Sequence, residues 1–257
     1  MLTPAQEAAA QYLVTARRSR TPGPRLPEDL RPADVEAGLA IQARVVGLMG
    51  EAIGGWKCSA PTEPRPVAMA PILAPSIRRA SPCPLLPTAG HARIEPEIAF
   101  VMGRDLPKRD TPYGEDEVRA AIGEVRFVLE LIGTRYADPA AVTFPELLAD
   151  CISNEGLFIG PQVPGGLDNV LDAFPIAVKS GGTTLATRDG KHPDGHPFKP
   201  LYWLANHLAE KRDFPLRAGD VVTTGSYCGV LDLPYDTPLT FAYGDLGTLD
   251  VTFVRAS

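Results

Sequence analysis

The 257-residue sequence lacks long apolar runs, paired cysteines and any excess of positive charge, and each absence argues against a class of protein. No stretch reaches the ~18 apolar residues that a membrane-spanning helix needs. The first residues show no basic start followed by an apolar core, so they do not resemble a signal peptide. The formal net charge is −6, and an acidic surface repels nucleic acid and anionic lipid. We therefore expect a cytoplasmic protein that binds neither nucleic acid nor membrane.

Several motifs that would indicate other chemistry are also missing. The four cysteines form no C-x-x-C pair, which disfavours zinc ribbons and thioredoxin-like chemistry. The sequence contains no G-x-S-x-G, P-loop or G-x-G-x-x-G motif. The four histidines lack a clear metal-binding spacing, and His192 and His196 fall in a segment over 189–197 that we expect to be a solvated excursion or lid.

The pattern of apolar residues predicts an α+β fold. Two helices are expected in the first 50 residues, one capped by Thr3 and Gln6 and another that begins near Asp34 and ends at Gly50. After Gly55, short runs rich in Val, Ile and Phe alternate with Pro/Gly turns, with further helices near 115–122, 144–152 and 201–211. Because strands and helices do not alternate strictly, a mixed, largely antiparallel sheet is favoured over a Rossmann fold or TIM barrel. We divide the chain into a helical N-terminal subdomain, 1–54, and a catalytic domain, 55–257.

The strongest local signal is a pair of glutamates in the strand predicted over 92–102. Because side chains alternate along a strand, Glu95 and Glu97 share one face. Two carboxylates so close together repel each other, and a hard divalent cation with oxygen ligands relieves that repulsion. The alternative is a solvent-facing strand edge, where paired glutamates need no ligand. The pattern alone leaves both interpretations open.

A single glutamate, Glu130, interrupts the apolar strand predicted over 125–132. A buried carboxylate without a partner costs several kcal/mol, so Glu130 should have one. It could be a third ligand to the same cation, or it could form a buried salt bridge with Arg126 or Arg135. The residues by themselves do not decide between these two interpretations.

Lys57 follows a glycine turn and Trp56, and it could enter a pocket. Near a metal-bound 2-oxo acid it could act as a general acid or base, or it could pair with the substrate carboxylate. The alternative is a surface lysine in a loop. Two turns could add contacts: the segment 223–226 offers backbone N–H groups to a carboxylate, and Ser153 lies at a predicted helix end. Such clusters are also common in ordinary turns.

Taken in order, these segments resemble the fumarylacetoacetate hydrolase superfamily, and within it the branch of 2-keto-4-pentenoate hydratases and 4-oxalocrotonate decarboxylases. The resemblance spans nearly the whole chain, including the N-terminal Leu39-Ala40-Ile41-Gln42. The matching segments are Gly55-Trp56-Lys57, Glu95-Pro96-Glu97 with the Ile-Ala-Phe after it, Glu130, Ala149-Asp150, Trp203-Leu204-Ala205-Asn206 and the run from Gly219 to Ser226.

The resemblance implies a β-roll core with flanking helices and a homo-oligomer built from dimers. It implies Mg²⁺ or Mn²⁺, held by Glu95, Glu97 and Glu130, and a small 2-oxo or 2-hydroxydienoate acid as substrate. Lys57 would be the catalytic acid/base. The substrate-binding residues that we expect on this basis are Trp56, Ser153, Gly225 and Ser226.

The resemblance indicates the metal more clearly than it indicates the reaction. Related hydratases place an aspartate downstream of the lysine, whereas the segment 67–73 of this chain contains no acid. Hydration of a 2-keto-4-pentenoate-type substrate in the catabolism of aromatic compounds is the first hypothesis. Decarboxylation of a 2-oxo-enedioate, or C–C hydrolysis of an acylpyruvate, is the alternative on the same scaffold. A non-catalytic partner subunit is a third.

Overall fold

Two β-sheets with helices on their flanks make up the computed structural model, which describes residues 1–63, 67–211 and 215–256. The helices in these ranges are α1 (Pro4–Ser19), α2 (Val35–Met49), α3 (Glu115–Ala120), α4 (Phe144–Ala149) and α5 (Phe198–Lys211). The strands are β1 (Ile53–Ser59), β2 (Ala68–Leu73), β3 (Ile77–Arg78), β4 (Cys83–Leu85), β5 (Ala92–Met102), β6 (Ile122–Ile132), β7 (Asn154–Gln162), β8 (Ala173–Ser180), β9 (Thr183–Lys191), β10 (Val221–Thr223), β11 (Leu231–Leu233), β12 (Pro238–Tyr243) and β13 (Gly247–Arg255).

The two N-terminal helices begin at the caps that the sequence predicts. The Thr3 hydroxyl accepts from the Gln6 backbone N–H while the Gln6 side chain accepts from the Thr3 N–H, and together they form a capping box. The Asp34 carboxylate caps α2, which ends at Gly50 in the left-handed conformation. The buried side of α1 packs against α2, and α2 also contacts α4 and β2. No helix in the described ranges is long and apolar enough to cross a membrane.

The larger sheet brings distant segments of the chain side by side. Its order is β2-β1-β10-β5-β6-β7-β3, and β11 pairs with β5. Strand β10 pairs parallel with β1 and antiparallel with β5, and β5, β6 and β7 form antiparallel neighbours. Gly55 allows the close approach of β1 to β10, because a Cβ at this position would lie 2.3 Å from the Val221 carbonyl oxygen.

The smaller sheet, of order β4-β13-β12-β8-β9, packs on the larger one through the main apolar core. The rings of Phe127 on β6 and Tyr243 on β12 lie 4.5 Å apart between centroids. The Tyr243 hydroxyl donates to the Val128 carbonyl at 2.8 Å, which satisfies this buried polar group. The α+β class with flanking helices is confirmed, and the larger sheet is curled.

Three local expectations were wrong. The glycines before Lys57 do not form a turn; they belong to β1, where close strand pairing favours glycine. The helix expected over 144–152 ends at Ala149, because the backbone of the next residues turns to positive φ. The segment 189–197 is not simply a solvated excursion, since β9 extends to Lys191 and His192 is only 1% exposed.

Candidate metal centre

Three glutamates meet on one face of the larger sheet. Glu95 and Glu97 are two residues apart in β5, so their side chains project from the same face. Antiparallel pairing places Glu130 of β6 directly opposite Glu95. One carboxylate oxygen from each residue lies within 4.8 Å of the other two. The structure therefore brings together the three residues that the sequence offers as metal ligands.

Burial and mutual repulsion make this cluster electrostatically unfavourable by itself. Glu97 and Glu130 are each 1% exposed, and Glu95 is half-buried. Burial, and then the nearby charge of Glu130, raises the pKa of Glu95 to about 7 and that of Glu97 to about 8. Protons or cations must therefore accompany these carboxylates near neutral pH.

A divalent cation fits this arrangement of donors. Carboxylate oxygens are the ligands that Mg²⁺ and Mn²⁺ prefer, and three converging ones lie within reach of one ion. The nearby ammonium group of Lys57 offsets one of the three negative charges, which leaves an excess of two when all are ionised. A doubly charged ion would balance that excess.

Lys57 reaches the cluster from β1, which is separated from β5 by the single strand β10. Its Nζ donates to Glu130 Oε1 at 2.5 Å and to the Ile152 carbonyl at 3.1 Å, and its side chain is 13% exposed. Burial by itself lowers the pKa of Lys57, but the charges of Glu130 and Glu95 outweigh burial and raise it overall. The lysine is thus held as an ammonium group that faces the carboxylates.

Three groups support the glutamates, a role that the sequence analysis did not assign to them. The Thr223 hydroxyl and the Gly225 backbone N–H both donate to Glu97 Oε2, the latter at 2.9 Å. Gly225 adopts φ +122°, which favours glycine at this position. The buried Asn154 side chain donates to Glu130 Oε1 at 2.9 Å. The only sequence signal for these groups was the polar run at 223–226, and nothing marked Asn154.

A strained turn holds the carbonyl that binds Lys57. Cys151, Ile152 and Ser153 have φ values of 54°, 51° and 56°, a conformation that costs on the order of 1–3 kcal/mol for each non-glycine residue. Surrounding contacts must therefore hold the turn in place.

Two arginines supply those contacts. Arg17 and Arg135 donate to the Asp150 carbonyl at 2.9 and 3.1 Å, and Arg17 also reaches the Asn154 carbonyl at 3.4 Å. Arg135 additionally forms a buried ion pair with the Asp150 carboxylate at 2.5 Å. Helix α1 is thereby connected to the lysine through the turn.

The structure brings together only some of the expected substrate contacts. Trp56 precedes Lys57 in β1, so its side chain projects from the opposite face of the sheet. Ser153 lies in the strained turn, next to the residue whose carbonyl binds Lys57. Gly225 contacts the carboxylate cluster, and the Ser226 hydroxyl donates to the Gly229 carbonyl at 3.2 Å. The roles of these four residues in substrate binding stay predictions.

The strand beside Lys57 contributes no acid. Antiparallel pairing places Ala70 of β2 opposite Lys57, and Ala70 is fully buried. The acid that the resemblance leads one to expect near this position is therefore missing from the neighbouring strand.

Comparison with curated proteins finds relatives of two kinds. The chain is 32% identical over 136 residues to 2-keto-4-pentenoate hydratase from Paraburkholderia xenovorans (strain LB400), which covers 52% of this chain and 48% of the relative. It is 27% identical over 163 residues to 4-oxalocrotonate decarboxylase from Pseudomonas sp, which covers 62% and 59%. The chain thus spans about half the length of the first of these relatives. No family sequence profile matches it.

Solved structures show the same fold. The 4-oxalocrotonate decarboxylase from Pseudomonas putida G7, complexed with magnesium and adipate, superimposes with a TM-score of 0.79 over 99% of both chains at 20% identity. The same enzyme complexed with calcium and acetate gives a TM-score of 0.77 at 21% identity. The resemblance to hydratases and decarboxylases that the sequence motifs predict is confirmed, and the chain shares the fold of the solved 4-oxalocrotonate decarboxylase.

Proposed function

We propose that this protein is a Mg²⁺- or Mn²⁺-dependent lyase that acts on a small 2-oxo or 2-hydroxydienoate acid. Hydration of a 2-keto-4-pentenoate-type substrate, in the catabolism of aromatic compounds, is the reaction that we place first. The observation that carries the proposal is the convergence of Glu95, Glu97 and Glu130 beside the ammonium group of Lys57. Similarity to hydratases and decarboxylases supports it.

The residues of the metal centre have different roles. Glu95, Glu97 and Glu130 would hold the metal ion, which when bound draws electron density from substrate oxygen atoms. Thr223 and Gly225 fix one carboxylate of this set by hydrogen bonds to a single oxygen. Such supporting hydrogen bonds orient ligands and tune a metal site.

Lys57 is the proton donor in this proposal. Its raised pKa keeps the amine protonated, and the Ile152 carbonyl and Glu130 fix the direction of Nζ. A protonated amine beside the carboxylate cluster can give a proton to a carbon or oxygen of a bound dienolate. General acid catalysis of this kind contributes about 10²–10⁴-fold in rate.

Decarboxylation of a 2-oxo-enedioate, or C–C hydrolysis of an acylpyruvate, is the second candidate. The absence of an acid opposite Lys57, where β2 offers Ala70, favours it, because water addition then lacks one member of a proton relay. Loss of the dienol absorbance with a single 4-hydroxy-2-oxo acid as product indicates hydration. Release of carbon dioxide indicates decarboxylation, and two acid products indicate C–C hydrolysis.

Metal titration by calorimetry, followed by oxalate, tests the shared part of both candidates. Oxalate mimics the enolate form of a 2-oxo acid, so we expect it to bind only in the presence of Mg²⁺ or Mn²⁺. Glu95→Gln should weaken both binding steps, whereas Glu115→Gln, an exposed change of equal charge on α3, should leave them unaltered. Oxalate binding that does not depend on metal would contradict the proposal.

The third possibility, a non-catalytic partner subunit, has its own test. No turnover across the substrate panel, together with capture of a partner enzyme, would favour it. Turnover that Lys57→Ala abolishes would exclude it.

The proposal keeps two further expectations from the sequence, a cytoplasmic location and a homo-oligomer built from dimers. All four cysteines are free, and three of them are buried, which fits a reducing compartment. Light scattering on the purified protein tests the assembly, and a monomer would contradict it.

A further inference from the structure

An arginine-rich cleft lies between the N-terminal helices and the larger sheet, beside the turn at 151–153. It consists of two hollows of about 420 and 230 Å³ that share Arg20, Arg78, Leu86 and Glu155 in their linings. The larger hollow falls within the range of about 300–1,000 Å³ that is usual for small-molecule sites. None of the three glutamates of the metal centre lines either hollow.

The cleft is positively charged, although the chain as a whole is acidic. Its arginine lining consists of Arg17, Arg20, Arg78, Arg135 and Arg255. The acidic residues in the two linings are Glu51 and Glu155, and Asp150 lies behind the wall, in contact with Arg17 and Arg135. Five guanidinium groups against these three carboxylates leave an excess of positive charge, and a concave surface concentrates the field of such an excess.

Part of this hydrogen-bonding capacity is unused within the described chain. Arg78 and Arg255 form no ion pair with any described residue, and the Arg255 guanidinium lies 4.9 Å from the centre of the Tyr235 ring. The Arg17 Nε is buried and has no hydrogen-bond partner in the same part of the chain. A buried donor without an acceptor is unfavourable. The half-buried Arg78 and the exposed Arg255 keep their N–H donors available to a ligand in the cleft.

We propose that this cleft binds a small dianion, with the negative oxygens of a phosphate or of two carboxylates placed against Arg78 and Arg255. Guanidinium groups recognise both kinds of oxygen through paired N–H donors. Leu73 and Leu86 provide apolar wall for the carbon part of such a ligand. The site differs from the metal centre, whose three carboxylates repel anions unless a metal ion is bound.

Calorimetry on the metal-free protein separates the two sites. After metal is stripped with EDTA and the EDTA, itself a polyanion, is dialysed away, the three carboxylates of the metal centre repel anions. Inorganic phosphate or succinate, titrated in separate experiments, should then bind only in the arginine-rich cleft. We expect saturable binding of at least one of them with a Kd of about 1 mM or lower. Arg78→Gln should weaken it at least about tenfold, because a charge-assisted hydrogen bond is lost.

Arg104→Gln is the matched control, since it removes the same charge from an exposed position that lines neither hollow. It should leave binding unchanged. The anion that binds more tightly to wild type shows whether the cleft prefers a phosphate or a pair of carboxylates. An Arg78→Gln/Arg255→Gln double variant guards against compensation by one arginine for the other. No saturable binding of either anion, or equal binding by wild type and the double variant, overturns the proposal. Neither outcome bears on metal-dependent oxalate binding.

Discussion

Replacing Lys57 by methionine removes the positive charge nearest to the three carboxylates while keeping most of the side-chain volume. Lys57 Nζ lies 2.5 Å from Glu130 Oε1, and the two side chains are 13% and 1% exposed. Removing one partner of a buried ion pair costs about 3–5 kcal/mol, because the other charge is left uncompensated. Asn154 still donates to Glu130, so we expect the lower end, about 3 kcal/mol, for the metal-free protein.

A metal ion held by the three carboxylates supplies the positive charge that the variant lacks. At saturating Mg²⁺ we therefore expect the loss in free energy of unfolding to fall to about 1 kcal/mol. The remaining difference of about 2 kcal/mol must then appear as tighter metal binding, with a Kd for Mg²⁺ about 30-fold lower than that of wild type. Turnover should nevertheless be lost, because the proton donor is gone.

Urea unfolding in EDTA and in MgCl₂, with calorimetry for Mg²⁺, measures both quantities. Lys179→Met, an exposed change on β8, serves as the control and should alter stability by less than about 0.5 kcal/mol. Equal losses of stability in EDTA and in MgCl₂, or weaker Mg²⁺ binding by the Lys57 variant, would refute the idea that the ammonium group and the metal ion balance the same negative charge.

Three further predictions concern the groups around the lysine. The folded-state pKa values of Glu95 and Glu97 are raised to about 7 and about 8, so these residues stabilise the metal-free protein fully only below their unfolded-state pKa values, and this stabilisation is lost as pH rises through 7 to 8. The urea midpoint in EDTA should therefore be lower at pH 9 than at pH 6. The Kd for Mg²⁺ should fall over the same range, because the metal binds the deprotonated carboxylates. Thr223→Val should weaken Mg²⁺ binding about 10–100-fold with little change in the far-UV spectrum, and an unchanged Kd would contradict the role of its hydroxyl. Arg17→Gln should destabilise the protein by about 1–3 kcal/mol, because it removes hydrogen bonds to the Asp150 carbonyl and carboxylate. It should also lower kcat while the Kd for Mg²⁺ stays the same. A change confined to metal affinity would count against the connection from Arg17 to Lys57 through the turn at 151–153.

Local patterns in the sequence were sufficient for much of the fold. Capping residues predicted the start of α1, and alternation of apolar residues predicted β5 with its two glutamates on one face. The failures occurred where tertiary contacts override local preference. Gly54 and Gly55 are usually turn residues, but here they lie in β1, because the parallel pairing with β10 leaves no room for a Cβ at Gly55. The division of the chain at residue 54 stays a prediction.

The sequence by itself determined that Glu95 and Glu97 project from one face of a strand, because side-chain alternation along a strand is fixed by backbone geometry. It left Glu130 between two partners, a metal ion and a buried salt bridge, and the structure shows a lysine rather than Arg126 or Arg135 beside it. Only the tertiary structure could decide this, because Lys57 and Glu130 come from strands that are far apart in the chain. The same holds for Thr223, Asn154 and the arginines around the strained turn, whose functions depend on neighbours that no local pattern encodes.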